Sequence, residues 1–125
     1  MTQEDKILLL KDLCARLPYM PKIKITYQQQ GIRGTDEENV SCDAIEHIVN
    51  DLRNGVIIDM QIYLRPMSSM TEEERKEYEN CYQSDDTTTA TLLVDFYNKK
   101  HFDYRGLIPK GLAIAVTKDN DPYKE

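Results

Sequence analysis

The densest group of chemically capable side chains lies in the segment HFDYR at 101–105. A histidine and a carboxylate two residues apart, His101 and Asp103, could orient each other. Arg105 could clamp a carboxylate or a phosphate. Catalysis also needs a pocket and a partner nucleophile or metal, and the sequence shows neither. We therefore predict no catalytic residue, and a small-molecule enzyme that uses His101 and Asp103 is only the third hypothesis for function.

The same segment has a structural interpretation, which the sequence favours. Asp103 would cap the turn through Gly106, Arg105 would pair with a nearby acid, and Phe102 and Tyr104 would pack. A surface that binds a partner is the second interpretation of these residues.

A second group of contact-prone side chains flanks Pro66. Tyr63, Arg65 and Met67 would lie on one side of the chain, and such residue types are enriched at protein interfaces. The favoured alternative is that Tyr63 and Met67 cover the edge of the core while Arg65 binds the carboxylates at 72–74. Together the two groups give a candidate interaction surface of Tyr63, Arg65, His101, Asp103, Tyr104 and Arg105.

The charge of the chain argues against direct contact with nucleic acid. The formal net charge is -6, and the segment 71–86 alone carries seven acids and two bases. Affinity for a phosphate backbone depends on clustered lysine and arginine. The acidic segment is interpreted as a solvated helix face whose acids favour the helix N-terminus. Mimicry of DNA, or docking of a basic partner, is the alternative.

Length and cysteine usage indicate the class of protein. The chain has 125 residues, of which 40% are hydrophobic, so we predict one domain over 1–117 and a polar tail over 118–125 that is disordered at its end. Membrane contact and a secretory signal are not expected. Cys14, Cys42 and Cys81 are odd in number and widely spaced, which favours a reducing cytoplasm. We predict neither a metal nor a cofactor.

The element expected to position these side chains is a central strand at 56–64. Val56, Ile58, Met60 and Ile62 would face the core, with more polar residues on the other face. Pro66 would end the strand near Leu64. This alternation is typical of a sheet with one side on a core.

Three helices are predicted around this strand. The first runs from Gln3 to about Arg16 and places Cys14 in the core, with Asp12 and Arg16 outside. A capping box at Thr71 begins a short surface helix over 72–82. A third helix runs over 89–101. Its expected buried stripe is Leu92, Leu93, Phe96 and Tyr97.

Four further segments complete the prediction. The segment 22–28 alternates as a strand, and its exposed lysines suit a sheet edge. Glycines at 31 and 34 indicate a turn or loop that continues to Asn39. Periodicity favours a helix over 41–53, although Asn54-Gly55 would equally suit a hairpin with a strand there. The segment 112–116 is a short strand candidate beside the central strand or the strand at 22–28.

Three stretches resemble a known group of proteins. They are LLLKDLCARLPY at 8–19, YLRPMSSMTEEE at 63–74 and HFDYRGLIPKGLAIA at 101–115. They resemble short, uncharacterised proteins of Bacteroides-type bacteria and of their prophages and mobile elements. The resemblance implies no activity, cofactor or catalytic residue. It implies a β-rich middle, which favours a strand over 41–53.

The elements together predict an α+β fold. We expect a small, mainly antiparallel sheet packed by helices from both ends of the chain. One form that this sheet could take is an SH3-like half barrel. The leading hypothesis for function is a non-enzymatic cytosolic interaction protein of mobile-element origin with a protein partner. A nucleic-acid-related role, by mimicry or by a surface with Lys22, Lys24, Arg33 and Arg65, is the second. The oligomeric state is left open.

Overall fold

The computed structural model describes residues 1–124. Short 3-10 turns follow the first helix at Leu17–Tyr19 and the third strand at Met67–Ser69. The helices and strands, in chain order, are α1 (Gln3–Arg16), β1 (Lys22–Gln29), β2 (Ile32–Asn39), α2 (Ile45–Arg53), β3 (Ile57–Leu64), α3 (Glu72–Asn80), α4 (Asp86–Lys99) and β4 (Ala113–Ala115).

The strands form one sheet in the order β2-β1-β3-β4. Strand β1 is antiparallel to both β2 and β3, whereas β4 runs parallel to β3. The predicted α+β fold with a mainly antiparallel sheet is confirmed. Of the two partners considered for the last strand, β4 pairs with the central strand and not with the strand at 22–28. The comparison with an SH3-like half barrel stays a prediction.

A β-bulge changes which residues of β3 face the core. The register between β1 and β3 shifts at Tyr27, which pairs with Ile57 and leaves Ile58 as the extra residue. A one-residue shift moves side chains to the opposite face, so Ile57 is buried and Ile58 is half-buried. We predicted the reverse for these two residues. Met60 and Ile62 face the core as predicted.

Helix α1 has the predicted bounds but a different buried face. Leu9, Asp12, Leu13 and Arg16 are buried, whereas Cys14 is exposed. The prediction of a packed Cys14 thiol with Asp12 and Arg16 in water is therefore wrong. The buried spacing of three and four residues is that of one helical face, and the two opposite charges enter the core because they neutralise each other.

The hairpin of β1 and β2 corrects two predictions. Strand β1 is internal to the sheet rather than an edge, and the segment 32–39, predicted as a loop, is the edge strand β2. Gln30 and Gly31, with φ of 53° and 78°, form the two-residue turn between them, as in hairpins whose central residues both have positive φ. Strand β2 escaped detection because it is polar on both faces and shows no alternation.

The segment with two open interpretations is a helix. Helix α2 covers Ile45–Arg53 and buries Ile48 and Leu52. Periodicity therefore predicted this segment correctly, and the strand favoured by the resemblance is wrong here.

The capping box of α3 is present as predicted, with Thr71 and Glu74 bonded to each other's backbone N–H groups.

Helix α4 begins at Asp86, three residues before the predicted start, because the Asp85 carboxylate accepts the Thr88 N–H and caps the helix. Phe96 of its expected stripe is buried, whereas Leu92 is exposed.

Two apolar clusters hold these elements together. Residues from α1, α2, the sheet and the segment before β4 form the main core, with Leu9, Leu52, Ile62 and Leu107 among its buried members. A smaller cluster of Cys81, Phe96 and Phe102 joins α3 and α4 to the segment after α4. Among the described helices, none is both long and apolar enough to cross a membrane.

Candidate functional site

The backbone brings two parts of the candidate surface together. Arg65 forms a parallel bridge with Phe102 just beyond the end of β3. The Arg65 N–H donates to the His101 carbonyl at 2.7 Å, and the Asp103 N–H donates to the Arg65 carbonyl at 2.9 Å. Residues far apart in sequence are therefore neighbours along this extension of the sheet.

Arg65 is held by its surroundings through both terminal nitrogens of its guanidinium. Its guanidinium donates to both carboxylate oxygens of Glu74, at 2.6 Å and 2.7 Å, and to the Ser69 carbonyl at 3.1 Å. It also lies 4.4 Å from the centre of the Phe102 ring. The hydrogen bond from Arg65 lowers the pKa of Glu74 to about 2. The structure thus gives Arg65 the predicted link to the carboxylates at 72–74.

Tyr63 points to the sheet face opposite the core. Its hydroxyl donates to Glu37 on β2 at 2.6 Å, and this hydrogen bond raises the pKa of Tyr63 to about 12. Tyr63 is 8% exposed, so its ring contributes little open surface.

His101 occupies a strained and shielded position. Its φ is 63°, in a region that residues other than glycine seldom adopt. Its ring stacks on that of Tyr123 with 3.5 Å between centroids, and Nδ1 is buried without a hydrogen-bond partner among the described residues. Burial, assisted by the positive charges of Arg16 and Arg65, lowers the pKa of His101 to about 4. The imidazole is therefore neutral near neutral pH.

Asp103 does not act together with His101. Its two carboxylate oxygens accept the N–H groups of Leu107 at 2.7 Å and of Ile108 at 2.9 Å, so the side chain caps the following turn. Tyr104 stacks on Tyr97 at 5.2 Å. This arrangement matches the structural interpretation of the segment and gives no support to a His101–Asp103 pair.

Sequence reasoning missed a buried ion network beside this segment. Arg16 donates to both oxygens of Asp12, at 2.8 Å and 3.1 Å, and to the Phe102 carbonyl at 2.6 Å. Arg105 Nε lies 3.3 Å from Asp12, so Arg105 pairs with an acid as expected. Asp12 and Arg16 are both 0% exposed. The detectable signal was their spacing of four residues on the face that contains Leu9 and Leu13.

Tyr123, which lies in the predicted polar tail, links two strands of the sheet. Its hydroxyl accepts the Lys22 N–H at 2.9 Å and donates to the Tyr63 carbonyl at 2.8 Å. These backbone groups lie one step beyond the last paired residues of β1 and β3, Ile23 and Ile62. The phenol oxygen thus links β1 and β3 by hydrogen bonds just beyond the point where their backbones stop pairing. The predicted disorder at the end of the tail falls on Glu125, outside the described residues.

Replacing Tyr123 by phenylalanine is expected to lower the free energy of unfolding by about 1–3 kcal/mol, because the change leaves one part-buried donor and one part-buried acceptor without a partner. Urea unfolding monitored by circular dichroism measures the change. Tyr82→Phe, at a tyrosine that is 55% exposed, is the matched control and should cost less than about 0.5 kcal/mol. Equal effects of the two variants would contradict the assigned role of the Tyr123 hydroxyl.

An open cleft of about 960 Å³ lies in front of Arg65, His101 and Tyr123. Neither Tyr104 nor Arg105 lines it, so the six predicted residues do not form one surface. Its charged lining is balanced, which gives no preference for an anion or a cation. It consists of the cations Arg65, Lys99, Lys100 and Lys118 and the acids Glu73, Glu74, Glu77 and Asp121.

Acidification is expected to destabilise the protein between pH 6.5 and about 4, the ordinary and the folded-state pKa of His101. The unfolded chain binds a proton on this histidine in that window and the folded chain does not, so stability rises with pH there. If the His101 side chain were fully shielded from solvent, the free energy of unfolding would fall by about 3 kcal/mol across this window. Because the side chain is partly exposed, we expect a loss of about 1–2 kcal/mol.

The measurement is urea unfolding at a series of pH values. His101→Asn is the comparison, because asparagine tolerates positive φ but does not titrate. Its stability should change less with pH in this window. Glu74, whose folded pKa of about 2 lies below the ordinary 4.5, adds a loss that begins near pH 4.5, at the acid end of this window, and grows below it. An unchanged pH slope in His101→Asn would contradict the assignment to His101.

The basic residues proposed for nucleic-acid contact are partly engaged by acids. Arg65 binds Glu74, and Lys22 lies 3.8 Å from Glu37. Within residues 1–124, no group of three or more histidine, cysteine or acidic side chains is placed to hold a metal ion.

The outer edge of β2 is the surface that sequence reasoning missed. The Gln28 N–H donates to the Val56 carbonyl at 2.7 Å, on the side of β1 away from β2. Since Gln28 pairs with Arg33, the backbone groups of Arg33 point away from β1, and by alternation so do those of Thr35 and Glu37. Nothing in the described part of the chain pairs with this edge.

Both faces of β2 are also open to solvent. Six of its eight residues are exposed, and only Gly34 and Glu38 are half-buried. Ile32, at the turn end, is 68% exposed. The strand is thus paired on one side only and projects beyond the cover of the helices.

Comparisons of this chain with protein-family models, with curated proteins and with solved structures find no match.

Proposed function

We propose that this protein is a non-enzymatic interaction module that adds one extended segment of a partner protein to the free edge of β2. The observation that carries the proposal is this eight-residue strand, open on its outer side. Addition of a peptide to an open sheet edge is a recurring mode of recognition, in which backbone hydrogen bonds supply the affinity.

The strand lacks several features that normally close an edge. Proteins shield exposed edges with proline, charged side chains (lysine above all), bulges or a covering segment, and β2 has charged side chains at Arg33, Asp36, Glu37 and Glu38. Strand β2 contains no proline and no lysine, and its register with β1 is continuous from Lys22 and Asn39 to Gln29 and Ile32. The regular edge is therefore available to another backbone at Arg33 and Thr35, whereas the Glu37 N–H is already bound by the Asp36 carboxylate.

The hairpin is also a stiff platform for a partner. The ring of Tyr27 covers Gly34 on the neighbouring strand, where an added Cβ would lie 2.6 Å from the Tyr27 hydroxyl. On the opposite face, Glu37 is held by Tyr63 and Lys22. Little ordering of β2 would be needed on binding, and such preorganisation favours affinity.

The proposal includes the cytoplasm as the place of binding and a mobile element as the origin of the chain. Cys14, Cys42 and Cys81 are all free thiols, which suits a reducing compartment. The resemblance to proteins of prophages and mobile elements supports the second part.

The test is capture of a saturable partner from bacterial extract by wild-type protein and by Thr35→Pro. Proline removes the outward N–H of Thr35, whereas the hydrogen bonds between β1 and β2 use other residues. We expect binding of the captured partner to weaken by about tenfold or more, the equivalent of one or two hydrogen bonds.

Glu72→Pro is the control, because Glu72 is the first residue of α3 and proline is tolerated there. Both variants should keep the wild-type circular dichroism spectrum. Undiminished binding by a folded Thr35→Pro variant would contradict the proposal.

A further inference from the structure

We infer that the segment bound at β2 is basic, with lysine or arginine at alternate positions. This inference rests on the proposed function and names the partner of the same edge. It is carried by the position of two carboxylates along the open strand.

One face of the edge presents oxygen atoms at every second residue. Gly34, Asp36 and Glu38 pair with Tyr27, Ile25 and Ile23 of β1, and so lie on the same face of the sheet as those residues. The hydroxyl of Tyr27 reaches over Gly34. A partner strand would therefore meet a phenol oxygen and two carboxylates in a row.

The carboxylates of Asp36 and Glu38 are available to bind a partner, whereas that of Glu37, on the other face of the sheet, is not. Within residues 1–124, no ion pair joins Asp36 or Glu38 to a cation. One oxygen of Asp36 accepts the Glu37 N–H at 2.9 Å, which fixes the side chain and leaves its second oxygen open. Glu37 is already bound by Tyr63.

Charge also argues against a second copy of this chain as the occupant. Strand β2 carries one base, Arg33, and three acids, Asp36, Glu37 and Glu38, which gives it a charge of -2. Two such strands side by side repel each other. Opposite charges on neighbouring strands attract, so a basic segment is the complementary occupant.

The experiment measures fluorescence anisotropy with three short labelled peptides that share one β-forming sequence and differ at alternate positions, which carry Lys, Gln or Glu. We expect the Lys peptide to bind about tenfold tighter than the Gln peptide, and the Glu peptide to bind most weakly. The double variant Asp36→Asn with Glu38→Gln should lose the preference for Lys. The double variant Glu72→Gln with Asp95→Asn makes the same change in net charge on exposed helix positions and should keep it.

The outcomes separate the two proposals. If Gln and Lys peptides bind equally well and Thr35→Pro weakens both, strand addition stands and the basic partner is overturned. If the Lys peptide binds Thr35→Pro as tightly as wild type, its binding is a general charge effect and strand addition fails. Absence of binding by all three peptides contradicts both. A dimer in sedimentation that Thr35→Pro dissociates would make a second copy the occupant and overturn the inference.

Discussion

Replacing Arg16 by methionine is expected to lower the free energy of unfolding by about 3–5 kcal/mol, because it breaks a buried ion pair. Methionine keeps much of the side-chain volume but removes the charge. Asp12 is 0% exposed and would be left buried without its two hydrogen bonds, and the Phe102 carbonyl would lose its donor at 2.6 Å. Arg105, at 3.3 Å from Asp12, compensates only in part.

Urea unfolding tests this prediction against Arg75→Met, at an exposed arginine of α3. The control should change stability by less than about 0.5 kcal/mol. The double variant Asp12→Leu with Arg16→Met removes both charges and should be less destabilised than the sum of the single variants. Additive losses would show that Asp12 and Arg16 contribute independently, against the network described here.

Truncating Phe102 to alanine is expected to cost about 3–5 kcal/mol, as is usual for a buried phenylalanine. Phe102 is 0% exposed, and its ring packs 5.9 Å from Phe96 and beneath the Arg65 guanidinium. Its position joins α4 to the end of β3, so α3 and α4 should loosen before the sheet does.

The measurement combines urea unfolding with amide hydrogen exchange, which reports local opening. In Phe102→Ala, exchange in α4 should accelerate more than exchange in β1. Leu93→Ala, at a half-buried position of α4 that packs on the same cluster, should have a smaller effect. A loss below about 1 kcal/mol for Phe102→Ala would mean that the second cluster does not connect the helices to the sheet.

Periodic apolar residues allowed much of this fold to be predicted. Helix α1, strand β3 and the capping box at Thr71 follow from local patterns that packing reinforces. The helix over Ile45–Arg53 shows that the periodic pattern was a better guide than resemblance.

The failures have two physical causes. The β-bulge at Ile58 depends on pairing with β1, which lies far away in the sequence, and alternation within one segment does not encode it. The edge strand β2 pairs with its neighbour along the chain but is polar on both faces, so it shows no alternation to detect. The second cause is buried polarity. Asp12, Arg16 and Tyr123 looked solvent-exposed because their partners, such as the Phe102 carbonyl and the Lys22 N–H, lie far away in the sequence.

The candidate surface was predictable only in part for the same reasons. Arg65 and Asp103 have the structural roles that their neighbours suggested. The free edge of β2 was not predicted, because the segment 32–39 was expected to be a loop. A strand that is polar on both faces is recognised only when its single neighbour is known.

Amide hydrogen exchange of β2, followed by NMR, tests strand addition most directly. In the complex with a captured partner or a bound peptide, the N–H groups of Arg33 and Thr35 should exchange at least about tenfold more slowly, because they become hydrogen-bonded to the added strand. Unchanged exchange at both residues, with new protection around the cleft at Arg65 and His101, would contradict binding at this edge.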